Sequence, residues 1–189
     1  MAKITNGEIF QAARDVLEEK DVDKARLADV ARKLNVSHAA LYKHFENKEA
    51  LFDAMHSEWL DRIDQPILKQ AVRVNVDERE DKLHDWLQAF LTIREDAFLN
   101  DRVMMHYYKL KVAEAPELIN ERLIEFAEAV ERIMAWDTFR SQRGLTVMMA
   151  FTYFYHPFFA DKWSDNLFQP LFESTWLELL PVIRQELEE

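Results

Sequence analysis

LADVARKLNVSHAALYKHFENKEALF occupies residues 27–52, and its reading decides the fold. Leu27, Val30, Ala31 and Leu34 recur at helical spacing and predict a short helix with one apolar face. Asn35 follows, a residue able to adopt the left-handed conformation that ends a helix. Ser37 is placed to cap a third helix over His38 to Phe45, and Asn47 to cap a fourth beginning at Lys48. Upstream, Thr5-Asn6-Gly7-Glu8 has the spacing of a capping box, and Ile9, Phe10, Ala13, Val16 and Leu17 continue from it as a helix. Lys20-Asp21-Val22-Asp23 has no hydrophobic period and reads as a turn.

Three short helices within about 45 residues, the second and third joined by Leu34-Asn35-Val36-Ser37, match a helix-turn-helix. Phe10, Val16, Val30, Leu34, Leu41 and Phe45 supply its core. Ala39 and Ala40 are small enough to let the third helix approach base edges, while Tyr42, Lys43, His44 and Lys48 supply donors suited to phosphates. Charge agrees locally rather than globally. The whole chain carries −11, yet within residues 24–48 six cations (Lys24, Arg26, Arg32, Lys33, Lys43, Lys48) face two carboxylates (Asp29, Glu46). A basic face on an acidic body permits nucleic-acid binding while limiting indiscriminate adhesion.

IFQAARDVLEE at 9–19, followed by the stretch at 27–52, resembles the TetR family of one-component regulators across residues 5–55. Val36-Ser37, Leu41-Tyr42, His44-Phe45, Lys48 and Leu51 fall at that family's spacing. The resemblance implies phosphate contacts from Ser37, Tyr42, His44 and Lys48, and base contacts from His38, Ala39 and Lys43, with Ala40 beside them. Two departures stand out. Where the family places Thr or Ser at the start of the second helix, this chain has Ala25-Arg26, so that Arg26 is the candidate for the phosphate contact. The family's common glycines at 35 and 39 are Asn35 and Ala39, whose methyl can meet a thymine methyl.

Composition excludes other classes. The 189 residues include 2 Gly and 5 Pro, too few for hairpins and tight turns, and they favour long helices. The absence of Cys removes disulfides, thiolate metal sites and thiol nucleophiles together, in keeping with a cytoplasmic location. MAKITNGEIF lacks the apolar stretch of a signal peptide, and the longest apolar run, Leu145 to Ala160, falls short of a membrane span. His56, His84, His106 and His156 form no metal-ligand spacing, and neither a Gly-rich phosphate loop nor a nucleophile elbow occurs. The expectation is therefore of no catalytic residues, no metal and no cofactor.

The rest of the chain predicts an all-α protein: a helix-turn-helix domain over 1–47, then a helical bundle over 48–189 that binds ligand and dimerises, the helix 48–64 linking the two. Further helices are expected near 66–74, 78–99, 101–113, 116–136, 142–159 and 168–187. Asp77 with Glu80, and Asp101, serve as start signals, and Pro116 and Pro170 as first-turn prolines. Aromatics and methionines are dense in the second half, and Trp86, Phe90, Met104, Met105, Tyr107, Tyr108, Phe126 and Phe151 are the candidate lining of a ligand pocket. The helices near 142–159 and 168–187 are apolar almost all round, so each requires cover on two sides. Met148, Thr152, Tyr155, Trp176, Leu180 and Ile183 are the candidate dimer residues.

The function expected from this is a homodimeric repressor on a palindromic double-stranded operator, released by a small apolar or aromatic effector. The alternatives are an activator, a regulator controlled by a protein partner, or an all-helical enzyme or carrier with a helix-turn-helix-like segment.

Overall fold

The computed structural model describes residues 4–115 and 117–185 and is all-helical among them. In order the α-helices are α1 (Asn6–Glu19), α2 (Leu27–Lys33), α3 (His38–Tyr42), α4 (Lys48–Leu68), α5 (Arg79–Asn100), α6 (Arg102–Glu114), α7 (Glu117–Met134), α8 (Gln142–Ala150), α9 (Thr152–Tyr155) and α10 (Phe168–Arg184). Short 3₁₀ turns occupy Val76–Glu78, Phe139–Ser141 and Pro157–Lys162. The chain divides into two compact units, one holding residues up to Arg62 with Asp101–Tyr108, the other Ile63–Asn100 with residues from Lys109 on. The division falls inside α4 and α6. The reason is packing: Leu51, Phe52, Met55 and Trp59 of α4 are buried in the first unit, where Phe52 meets Tyr107 edge-on and Trp59 meets Tyr108.

In the first unit the local signals set the structure. Thr5 and Glu8 close the capping box, the Glu8 N–H donating to Thr5 Oγ1 at 3.3 Å and the Thr5 N–H to Glu8 Oε2 at 2.8 Å. Asn35 takes φ 54°, and the Val36 N–H turns back to the Ala31 carbonyl, ending α2. Ser37 Oγ accepts from the Ala40 N–H, and Asn47 Oδ1 from the Ala50 N–H at 2.7 Å. The third helix stops at Tyr42, three residues before its expected end. Beyond it the N–H groups of His44 and Phe45 both fold back onto the Leu41 carbonyl as a turn.

In the second unit α5 buries Leu83, Trp86, Leu87, Phe90, Leu91, Arg94 and Phe98 along one stripe, and α10 buries Phe168, Phe172, Trp176, Leu179 and Ile183 along another. Helix α8 lies against α7 at Gly144, whose N–H donates to buried Glu131 at 3.2 Å. Three expectations give way here. No separate helix covers 66–74: α4 runs through Pro66 to Leu68, because a proline two residues from the end forfeits a single backbone bond. The start before α5 is Asn75 with Glu78, two residues ahead of Asp77 and Glu80. The expected helix 142–159 breaks at Phe151, and Pro157 holds His156 extended. Pro116 lies outside the described residues, as do the last two positions of the helix expected over 168–187.

Candidate nucleic-acid interface

The second helix of the first unit begins without a Ser or Thr cap. The Asp29 carboxylate accepts the Arg26 N–H at 3.2 Å instead, and the Arg26 side chain is left exposed. Asp29 is buried and is further held by Lys20 at 2.8 Å and Arg32 at 3.2 Å. The Lys20 hydrogen bond is the main reason its carboxyl lies below the ordinary carboxylate range, with the charges of Lys20 and Arg32 acting the same way against burial. One acid therefore fixes the start of α2 and its orientation to the end of α1.

Helix α3 is a presentation device. Leu41 is its buried anchor, and Phe45 just beyond it packs on Phe10 with ring centroids 5.8 Å apart. Ser37, His38, Ala39, Tyr42, Lys43 and His44 are exposed, and Ala40 is half-buried. The His38 and Tyr42 rings meet edge-on at 4.9 Å, one turn apart, which orders two side chains that would otherwise move independently. Most of the neighbouring cations are spent internally: Lys24 on Asp21, Lys33 on Glu19 and Arg32 on Asp29. Arg26 and Lys43 form no ion pair among the described residues, so their charge is available at the surface. Lys48 also has a part to play inside the unit. It is partly covered, and its ammonium donates to the carbonyls of Val22 and Asp23, both at 3.3 Å, pinning the α1–α2 turn to the start of α4.

The eight aromatic and methionine residues expected to line one pocket are all buried, and they are divided between the two units. Met104, Met105, Tyr107 and Tyr108 belong to the first unit, where the Tyr107 hydroxyl donates to Asp53 at 2.8 Å. Trp86, Phe90, Phe126 and Phe151 belong to the second. There Trp86 stacks on Phe90 and donates to the Ile67 carbonyl, Phe90 meets Phe126 at 4.5 Å, and Phe151 packs on Phe154 and Phe172. A surface concavity of about 280 Å³ lies in the first unit instead, beside Leu17, Glu18, Lys20, Val22, Val103 and His106.

Of the six dimer candidates, Met148, Tyr155, Trp176 and Ile183 are covered by their own subunit, while Thr152 and Leu180 are half-buried. The apolar surface left open on α8 and α10 is Met149, Leu171, Leu177 and Val182. Among the described residues no helix is long and apolar enough to cross a membrane.

Sequence reasoning missed a buried charged group in the second unit: Asp64 of α4 with Arg94 of α5 and Arg122 of α7. The signal was present in α5, where Arg94 stands one turn from both Phe90 and Phe98 on an otherwise apolar stripe.

Residues 9–55 match the profile described as bacterial regulatory proteins, tetR family. Over 55 residues the chain is 42% identical to the tetracycline repressor protein class A from transposon 1721 of Escherichia coli, covering 29% of this chain and 26% of that protein. The first two curated relatives are thus matched over about a quarter of their length. A longer match, 25% identical over 161 residues, joins 80% of this chain to 82% of the uncharacterized HTH-type transcriptional regulator YvkB of Bacillus subtilis. Among solved structures, BioQ with its double-stranded DNA operator has the same fold at TM-score 0.57 and 20% identity, covering 94% of this chain and 99% of that one. The two curated relatives are by name a repressor and a transcriptional regulator.

Proposed function

We propose that this chain, of the tetR family of bacterial regulatory proteins through its residues 9–55, is a DNA-binding transcriptional repressor that acts as a homodimer. The observation that carries the reading is α3 itself. It is held from below by Leu41, capped by Ser37, and presents His38, Ala39, Tyr42, Lys43 and His44 outward with Arg26 and Lys43 uncommitted. Tyr42, His44, Lys48 and Arg26 grip phosphates. His38, Ala39 and Lys43 face base edges, and Ala40 keeps the helix close to the groove. Ser37 keeps its hydroxyl on the Ala40 N–H and contributes a further phosphate contact. That BioQ binds a double-stranded operator with this fold supports the same docking for α3.

Two copies pair through the outer faces of α8 and α10, joining Met149, Leu171, Leu177 and Val182 to the half-buried Thr152 and Leu180. A four-helix contact of this kind buries about 2,000 Å² or more. Recognition helices in such a dimer meet half-sites about 34–36 Å apart on a palindromic operator. A small apolar or aromatic effector bound in the second unit lowers operator affinity. Helices α4 and α6, which contribute residues to both units, carry the coupling.

Selection of bound fragments from random DNA with the full chain tests this directly. The expected product is one inverted repeat with half-site centres about one helical turn apart. Recovery of no enriched motif at low salt, or of an unpaired half-site, overturns the reading.

A further inference from the structure

Arg94 occupies a register position on α5 that the rest of the stripe fills with apolar side chains. Its guanidinium lies 5.0 Å from the Phe90 ring, 5.0 Å from Phe126 and 5.6 Å from Phe98. Asp64 faces it in a forked contact: Nε and Nη2 donate to Oδ1 at 3.0 and 2.8 Å, and Nη2 to Oδ2 at 2.7 Å. Arg122 adds a donor to the same Oδ2 at 3.0 Å. Asp64 is 1% exposed and Arg94 2%.

Folding alone does not call for this group. Removing such ions from water costs several kcal/mol each, and packed apolar residues of similar volume commonly stabilise as well or better. What the arrangement does provide is recognition. A guanidinium fork matches the two oxygens of a carboxylate, and faces of three rings around it match an aromatic body attached to that carboxylate.

We propose that Arg94 and Arg122 are the recognition groups for an effector made of a carboxylate on an aromatic body, and that Asp64 is an internal carboxylate holding their place until it binds. This rests on the reading of the chain as a ligand-released repressor and names the class of its ligand. The exchange replaces one ion pair by another, so both guanidinium charges stay compensated, and burial of the effector's ring supplies the driving force. The displaced Asp64 lies on α4, the helix that begins at Lys48, so effector binding acts on the same element that pins the α1–α2 turn.

The test titrates the full chain with benzoate, phenylacetate and indole-3-acetate, and with the corresponding primary amides as neutral isosteres. Calorimetry and thermal unfolding report binding, and release of a selected DNA fragment reports response. At least one acid should bind with Kd below about 1 mM, raise Tm and release DNA, while its amide at about tenfold higher concentration does neither. Asp64→Asn keeps the side chain's shape and removes the competing charge, so it should bind that acid at least about tenfold more tightly. Should Asp64→Asn not fold, the acid–amide comparison on the unsubstituted chain decides alone. Acids and amides acting alike, or no binding by any of the three acids up to about 10 mM, overturns the proposal. A protein that binds DNA yet ignores the acids refutes this inference and spares the repressor reading. One that discriminates acid from amide yet binds no DNA supports the site and refutes that reading.

Discussion

Gly144→Ala should destabilise the second unit by about 2–4 kcal/mol, although alanine is the better helix former. A Cβ at Gly144 would stand 2.1 Å from the Ala127 carbonyl oxygen and 2.7 Å from its carbon, where ordinary contact starts near 3.4 Å. Both obstacles are backbone, so no side chain can swing aside, and α7 and α8 must part by about 1 Å. Forced overpacking of this sort costs about 1–3 kcal/mol. The same displacement stretches the Gly144 N–H bond to the buried Glu131 carboxylate, a charge-assisted contact with a net value of about 1.5–3 kcal/mol. Against these stands about 1 kcal/mol of helix propensity gained. The neighbouring Arg143 guanidinium, which lies 3.8 Å from the Trp136 ring and donates to the carbonyls of Val182, Ile183 and Gln185, would be pulled with the backbone. Thermal unfolding at equal protein concentration should show Tm lower by about 5–15 °C for a chain of this size. Gly7→Ala is the matched control: nothing lies within 4 Å of a Cβ there, so the substitution should be neutral or stabilising by up to about 1 kcal/mol. Equal stability of Gly144→Ala and the unsubstituted chain would refute the close-approach argument.

Lys48→Ala should weaken DNA binding evenly across sequences and lower the salt dependence by about one unit per subunit, read by anisotropy over a range of salt concentrations. Undiminished affinity at moderate salt would confine this lysine to the carbonyls of Val22 and Asp23. Lys43→Ala should relax preference at one position of each half-site by about 1–3 kcal/mol, and a uniform loss at every position would make it a phosphate contact instead. Because the Asp29 carboxyl is depressed in the folded state, its contribution to stability is present above the unfolded value near about 4 and is lost as pH falls through the lower folded value. The gap in urea-unfolding free energy between the unsubstituted chain and Asp29→Asn should hold from about pH 7 to pH 5 and shrink below about pH 4, and a gap constant to pH 2 would contradict the assignment. Leu177→Glu places a charge on a side chain 63% exposed in its own subunit, so the fold should survive while light scattering shows single chains in place of dimers. A dimer unaffected by Leu177→Glu would move the interface elsewhere.

The first unit was legible because its determinants are local. Thr5 with Glu8, Ser37 with Ala40, Asn47 with Ala50 and Asn35 at its left-handed corner each act within three or four residues, the range that sequence spacing encodes. The early end of α3 was not legible, since Lys43-His44-Phe45 contains no breaker and only the fold of the chain back onto the Leu41 carbonyl distinguishes turn from helix. Lys48 was legible as a cation at the right spacing but not as the pin of the α1–α2 turn, whose carbonyls lie about 25 residues earlier. Asp64, Arg94 and Arg122 come from three helices, so their association is wholly tertiary, and only Arg94 left a trace as a cation in an apolar register.

On α10, apolar content alone does not separate the residues that the chain itself covers from those it leaves open. Period 3.6 resolves two stripes on it. Phe168, Phe172, Trp176, Leu179 and Ile183 form one, and Leu171 with Val182 forms the other, while Leu177 stands open roughly a third of a turn away from that pair. Both read as core, and hydrophobicity alone favours the buried one as a partner face, because Trp176 is the largest side chain on the helix. Size is what decides for the interior. Large rings fill the space beside α5 and α8, as the contacts of Phe172 and Trp176 with His84 and the packing of Phe172 on Phe151 show. Aliphatic side chains separated by Ser174 and Glu178 remain outside, a mixture of apolar and polar groups that a subunit can expose before assembly and cover afterwards. The same logic on α8 keeps Val147 and Met148 inward against α7 and leaves Met149 out. The face left for a second copy in the proposed pairing is therefore the less hydrophobic of the two, which is why substitution at Leu177 tests assembly and substitution at Met148 would test only the core.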